Sequence, residues 1–273
     1  MSLTVWAWLS ALLDKHLLGM SPPPLAVIVP AFNEARRLTE NLLTLLQYLQ
    51  TYRPAAELIV VDDGSTDGTA RVAEEFFAQR PEVMARVVRF AQNRGKGHAV
   101  RAGLLAAQAP IALFSDADLS TPITELPKVV KPIESENYDI VLGSRALDRG
   151  LIGDRQPWRR EQGGKVFNAI VRLTTQLPFS DTQCGFKAFR MESTRPIIKD
   201  GRINGFGFDV ELLFLAQRAG LRMLEVPVRW NHHDGSKVHI VRDSLRMFSE
   251  VLSLRTRASR VAPRNNSAAE MSL

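Results

Sequence analysis

The chain has 273 residues, 45% of them apolar, with 35 Lys and Arg against 29 Asp and Glu for a net charge of +6. That length supports one large α/β domain with a sizeable core, and the basic excess suits phosphate-bearing substrates, a membrane surface or nucleic acid. The single cysteine, Cys184, excludes an internal disulfide and fits a reducing compartment, and no stretch reaches the roughly 18–20 apolar residues of a membrane span.

Residues 1–24 form an extension. Its apolar positions Trp6, Trp8, Leu9, Leu12 and Leu13 are followed by Asp14, Lys15 and His16, and it lacks the basic start of a secretory signal. It reads as an amphipathic helix lying on a membrane or on the domain, as a mobile extension, or as the product of a start codon assigned too early, with Met20 just before the proline run. Pro22-Pro23-Pro24 is a stiff spacer. The domain spans 25–254. Its first strand is the apolar run Leu25–Val29, and the stripe Leu38, Leu42, Leu45, Leu46 and Leu49 predicts a helix over 35–51. A second strand covers 58–61. The capping-rich turn Asp62-Asp63-Gly64-Ser65-Thr66-Asp67-Gly68 then opens a helix through Phe77. A third strand covers 83–90. Asn93-Arg94-Gly95-Lys96-Gly97 leads into a helix through Ala107 and offers a weak phosphate cradle at its N-terminus. The alternation of strand and helix predicts a parallel sheet with helices on both faces.

The fourth strand, 109–114, ends in Asp116-Ala117-Asp118. If the chain stays extended, carboxylates two residues apart point to one side and can share a hard cation, Mg²⁺ or Mn²⁺. Ligands of open α/β sheets bind at this carboxyl edge. A solvated acidic loop is the plain alternative. A calcium loop fails, because Thr121 and Pro127 stand where Gly and Glu are needed. A haloacid-dehalogenase phosphatase fails on order: three strands precede the motif, and the acidic pair Asp62-Asp63 lies upstream.

Residues 123–134 read as helical despite Pro127 and Pro132, and 138–142 as a strand ending in Gly143-Ser144-Arg145. The basic stretch 149–172 carries Arg155, Trp158, Arg159, Arg160, Lys165 and Arg172; it suits a phosphate site, a headgroup-level surface or a solvated helix face. Residues 181–190 read as a loop and a short strand, 208–218 as a helix with Asp209 and Glu211 near its start, and 223–230 as the last strand, followed by Gly235-Ser236-Lys237. Residues 255–273 read as a disordered basic tail.

Five motifs occur in order: Val-Ile-Val-Pro-Ala-Phe-Asn-Glu (27–34), Val-Val-Asp-Asp-Gly-Ser-Thr-Asp (60–67), Asn-Arg-Gly-Lys-Gly (93–97), Asp-Ala-Asp (116–118) and Gly-Ser-Arg (143–145). The set resembles family 2 glycosyltransferases of the GT-A fold, a single Rossmann-like domain with a mostly parallel sheet. Asp-Thr-Gln-Cys-Gly-Phe-Lys (181–187), Phe-Asp-Val-Glu-Leu-Leu (208–213) and Gly-Ser-Lys (235–237) resemble its polyprenyl-phosphate branch, dolichyl-phosphate β-glucosyltransferases more than mannose synthases.

The resemblance implies inverting transfer of a hexose from a nucleotide sugar to a polyprenyl phosphate, with UDP-glucose favoured over GDP-mannose as donor. It assigns Pro30, Phe32, Glu34 and Asp63 to the nucleoside pocket, Asp63 accepting from the base. Lys96 approaches the diphosphate, Thr182 and Gln183 face the sugar, and Asp116 and Asp118 hold Mg²⁺ or Mn²⁺. Arg145, Arg159 and Lys237 take the acceptor phosphate. Asp209 stands where many family members keep a base; with a phosphate nucleophile its role is orienting or electrostatic. Ser120 replaces a Gln that neighbours the metal in the mannose synthases, which leaves the third metal ligand open. The implied setting is the cytoplasmic face of a membrane, peripherally bound. A family 2 enzyme with a polysaccharide acceptor, a non-catalytic sugar-nucleotide binder and a nucleic-acid binder are the competing classes. The absence of any nucleic-acid recognition motif places the last one lowest.

Overall fold

The computed structural model describes residues 23–153 and 171–232, together with 247, 249–251 and 254. The extension 1–22, the cluster Arg155, Trp158, Arg159, Arg160 and Lys165, the Gly235-Ser236-Lys237 motif and the tail 255–273 lie outside the described residues.

The elements run β1 (Ala26–Ala31), α1 (Ala35–Tyr52), β2 (Glu57–Asp62), α2 (Thr69–Ala78), β3 (Ala85–Arg89), α3 (Lys96–Ala106), β4 (Ile111–Ser115), α4 (Leu126–Glu134), β5 (Ile140–Ser144), β6 (Phe186–Arg190), α5 (Met191–Asp200), α6 (Phe208–Arg218) and β7 (Met223–Pro227). They build one seven-stranded sheet of order β3-β2-β1-β4-β6-β5-β7. Every pairing is parallel except those of β6, which runs antiparallel to both β4 and β5. The sequence predicts this α/β layering. It holds because β1, β2 and β4 carry apolar side chains on both faces, which only a sheet covered on both sides can bury. One core lies under α3, α5 and α6, around Ile28, Phe114, Phe189 and Phe208. The other lies under α1, α2 and α4, around Leu42, Leu58 and Phe186. The predicted stripe of α1 is fully buried there, at about 1.5–3 kcal/mol per leucine.

Two elements depart from the sequence reading. The helix α5 is not among the elements read from the sequence, and it holds Pro196 inside its span; burial of Met191, Thr194, Ile197 and Ile198 outweighs the lost hydrogen bond. β6 is antiparallel because it starts at the carboxyl edge of the sheet. Register pairs Ser115 with Phe186, and the Asp116 amide donates to Gly185 O (3.0 Å). The loop 181–185 is thereby laid beside the end of β4.

Candidate active site

Several of the predicted residues stand at or near the carboxyl ends of the strands. Pro30 lies within β1, and Phe32 and Glu34 in the turn after it, half-buried. This turn is stitched to the loop after β2. The Asn33 amide donates to Ser65 Oγ (2.8 Å), the Glu34 amide to Thr69 Oγ1 (2.8 Å) and the Ala35 amide to Asp67 Oδ2 (3.1 Å). Asn33 returns the contact by accepting from the Thr66 amide (2.8 Å), in the left-handed conformation that Asn tolerates.

Asp63 is buried, and its two carboxylate oxygens accept from the amides of Arg94 (3.0 Å) and Gly95 (2.7 Å). It therefore fixes the 93–97 loop. An ionised carboxylate still has unused lone pairs for a ligand donor. Burial pushes its pKa up, against those two hydrogen bonds.

The weak phosphate cradle is not what this loop forms. The amides of Gly97 (2.8 Å) and His98 (3.3 Å), at the start of α3, donate to Asn204 O. A β-carbon on Gly95 would stand 2.4 Å from that carbonyl, and one on Gly97 2.6 Å from Ile203 O. The glycines admit the 203–205 backbone, and the Lys96 side chain reaches Asp116 just past the end of β4.

The route to the Asp116–Asp118 pair also differs from the expectation. The chain leaves the extended state at Asp116 and turns: the Leu119 amide donates to Asp116 O (3.1 Å), with Leu119 at φ 51°. Strand alternation thus does not align the two carboxylates. The turn sets their positions, and both contribute to the field at Lys96 and at Arg37. Asn41 Nδ2 clamps the turn through Ala117 O (2.6 Å), and Asp118 Oδ1 accepts from the Ser120 amide (3.0 Å). Asp116 Oδ1 bonds Lys96 Nζ at 2.6 Å, while Oδ2 lies 2.0 Å from where a β-carbon of residue 185 would be. Gly185 is the residue that makes room for this carboxylate. Among the described residues no cluster of three His, Cys, Asp or Glu forms around the pair.

Below Asp116 lies a feature that the motif reading passes over. Lys187, in the middle of β6, is 1% exposed and donates to Asp209 Oδ1 (2.6 Å) and Cys184 O (2.6 Å). Phe186, Ala188 and Phe189 around it are buried, so this ammonium must be paired. A lysine inside an apolar strand is the signal that could have revealed it. Its partner Asp209 begins α6 and is itself buried. Burial raises the Asp209 pKa, and Lys187 and then Lys96 oppose that rise.

Arg145 follows β5, as predicted. It is not an unengaged fork: its amide (3.0 Å) and Nε (2.6 Å) donate to Asp181 Oδ2 and Nη2 to Oδ1 (2.8 Å). Nη1 makes no hydrogen bond among the described residues, and the guanidinium faces the Trp230 ring at 5.7 Å. Asp181 is fixed in turn by Glu225 of β7, which accepts from the Ser180 (2.9 Å) and Asp181 (2.8 Å) amides. Arg145 holds the Asp181 carboxyl down, to about 2, although burial pulls it the other way. Thr182 is buried, and the half-buried Gln183 points Nε2 at Met247 Sδ (3.8 Å). Burial pushes the Cys184 thiol up to about 11, which leaves it an inert core residue. Arg159 and Lys237 lie outside the described residues.

The carboxyl edge thus assembles two acids, a lysine on one of them, a buried Lys–Asp pair and an arginine on an acidic bracket. Comparisons with known proteins bear on the family and the fold. Residues 26–197 match the family model "Glycosyl transferase family 2". The dolichyl-phosphate beta-glucosyltransferase of Dictyostelium discoideum is 35% identical over 243 residues, 85% of this chain and 74% of that protein. The Drosophila melanogaster protein of the same name is 39% identical over 227 residues, 78% of this chain and 69% of that one. Among solved structures, glucosyl-3-phosphoglycerate synthase from Mycobacterium tuberculosis with phosphoglyceric acid superposes with a TM-score of 0.64 at 22% identity, covering 89% of this chain and 83% of that one. The same enzyme solved with Mn²⁺, UDP-glucose and phosphoglyceric acid gives 0.62 at 21% identity, covering 92% and 83%. The fold is GT-A, and the chain belongs to glycosyl transferase family 2.

Proposed function

We propose that this enzyme transfers glucose from UDP-glucose to the phosphate of a dolichyl or other polyprenyl phosphate, with inversion. The reading rests on one observation. The residue at the place of a family base, Asp209, is buried and tied to Lys187 at 2.6 Å. A hydroxyl acceptor needs a base to take its proton. A phosphate monoester, with a second pKa of about 6, is already ionised and needs none. The names of the relatives point the same way.

Within this reading Pro30, Phe32, Glu34 and Asp63 line the nucleoside pocket, and Lys96 meets the diphosphate. Thr182 and Gln183 line the sugar pocket. Arg145 offers its Nη1 end to the acceptor phosphate, since Asp181 occupies the Nε–Nη2 edge. Arg159 and Lys237 complete the acceptor site. Asp116 and Asp118 fit Mg²⁺ or Mn²⁺: they are hard oxygen donors, half-exposed, and one already carries an ammonium. When bound, the ion neutralises charge on the leaving diphosphate. Among the described residues no helix is long and apolar enough to cross a membrane. Peripheral attachment to the cytoplasmic face, aided by residues 1–24 and the basic stretch 149–172, would bring the site to its lipid.

A donor panel tests this. Purified protein with polyprenyl phosphate should release UDP from UDP-glucose faster than GDP from GDP-mannose. Preference for GDP-mannose would make the enzyme a mannosyltransferase, and turnover only with hydroxyl acceptors would overturn the proposal.

A further inference from the structure

The first turn of α1, Ala35-Arg36-Arg37, contains no acid. The helix dipole disfavours cations there, so an arginine at this place is a local cost. Glu34 offsets it: Arg37 Nε donates to Glu34 Oε2 (2.5 Å) and Nη2 to Oε1 (3.0 Å). The remaining corner of the fork, Nη1, makes no hydrogen bond among the described residues, and the side chain is 28% exposed. The place of Arg37 is fixed from two sides. Glu34 belongs to the turn after β1. Asn41, one helical turn further on and on the same face of α1, donates to Ala117 O, between the two acids. The fields of Asp118 and Asp116 reach the guanidinium. Arg37 thus stands between the turn that carries Phe32 and Glu34 and the turn that carries Asp116 and Asp118. Lys96 approaches the second of these from α3, on the other face of the sheet.

We propose that Arg37 is a second cationic contact for the diphosphate of the donor, made through Nη1 while Glu34 holds the other edge of the guanidinium. A donor diphosphate has to run from the nucleoside, to which it is bonded, to the divalent ion that neutralises it. Arg37 is fixed to the nucleoside turn at one edge and lies beside the metal turn. An ionised phosphate oxygen suits the corner of a guanidinium whose other two donors are already engaged. Glu34 then has two parts: it lines the nucleoside pocket and it aims Arg37. Lys96 and Arg37 hold the diphosphate from helices on opposite faces of the sheet. This role rests on the reading of Pro30, Phe32, Glu34 and Asp63 as the nucleoside pocket and of Asp116 and Asp118 as the metal site.

The test compares a ligand with the diphosphate and one without it. Calorimetry gives the affinity for UDP and ligand-observed nuclear magnetic resonance the affinity for uridine, both with Mg²⁺ present. Arg37→Met should weaken UDP about tenfold, the loss of one charge-assisted hydrogen bond, and leave uridine within about twofold of wild type. Arg37→Lys keeps the charge and loses the fork, so it should recover part of the UDP affinity. An equal loss for UDP and uridine in Arg37→Met would make Arg37 only a strut for Glu34 and overturn the proposal. Wild type separates this failure from that of the underlying reading. If wild type binds UDP no tighter than uridine, there is no diphosphate site and both ideas fall. If wild type prefers UDP and Arg37→Met keeps the whole preference, only the role of Arg37 falls.

Discussion

The two halves of the carboxyl edge are built differently. On the side of β1, β2 and β4, apart from the partly exposed Lys96–Asp116 contact, loop is tied to loop by neutral contacts or by carboxylates accepting backbone amides, as in Asn33–Ser65, Glu34–Thr69, Asn41–Ala117 and Asp63–Gly95. On the side of β5, β6 and β7 the links are ion pairs with a buried carboxylate, Lys187–Asp209 wholly out of water and Arg145–Asp181 with the arginine half-buried, Glu225 bracing the second. The first construction spreads its support over many bonds of about 1 kcal/mol each. The second concentrates it, because a buried charge that loses its partner costs several times more. The proposed donor pocket should therefore tolerate single substitutions that the proposed acceptor side does not.

Lys187→Met should show the largest effect. It strands Asp209 in the core and should cost about 3–5 kcal/mol in a denaturant titration. Pairing it with Asp209→Leu removes both charges and should recover most of that loss. A single variant no less stable than wild type would refute the idea that the pair organises β6 and α6.

Asp181→Asn should come next, at about 2 kcal/mol near neutral pH. The sign of its pH dependence follows from a carboxyl held at about 2 when folded against about 3.9 when unfolded. The extra stability of wild type is present above that unfolded value and is lost as pH falls toward 2. Melting temperatures of the two proteins should therefore converge below about pH 4. A gap that stays constant down to pH 2.5 would show that the pair is not what separates them.

Asn41→Ala should be smallest for stability, about 1 kcal/mol. It releases the carbonyl of Ala117 and should loosen the Asp116–Asp118 turn. Mn²⁺ affinity in the presence of UDP should fall more than the melting temperature suggests. An unchanged affinity would mean that the turn holds its shape without α1.

Legibility in the sequence follows the same division. The first half of the sheet is readable because local rules and tertiary packing agree there: apolar runs between capping turns, a leucine stripe, and glycines where backbones approach. Even there the turn that places Asp118 escaped, since 116–119 depends on a left-handed Leu119 that no propensity announces. In the second half, Asp181 and Lys187 stand in a motif that marks a family branch without stating what its charges touch. Their partners lie 36 and 22 residues away. The reversal of β6 that brings them together is a consequence of topology. Sequence places Arg145 at a strand end; only the fold shows that an acid already holds half of it.

The central claim is that the acceptor brings its own negative charge and the protein supplies no base. The most direct measurement is the pH dependence of kcat/KM for the acceptor at saturating UDP-glucose, run with a polyprenyl phosphate and with the matching phosphonate, whose second pKa is higher. The account predicts a single ascending limb near pH 6 for the phosphate that moves upward with the phosphonate. A limb that stays at one pH for both acceptors would report a titrating group of the enzyme and contradict it.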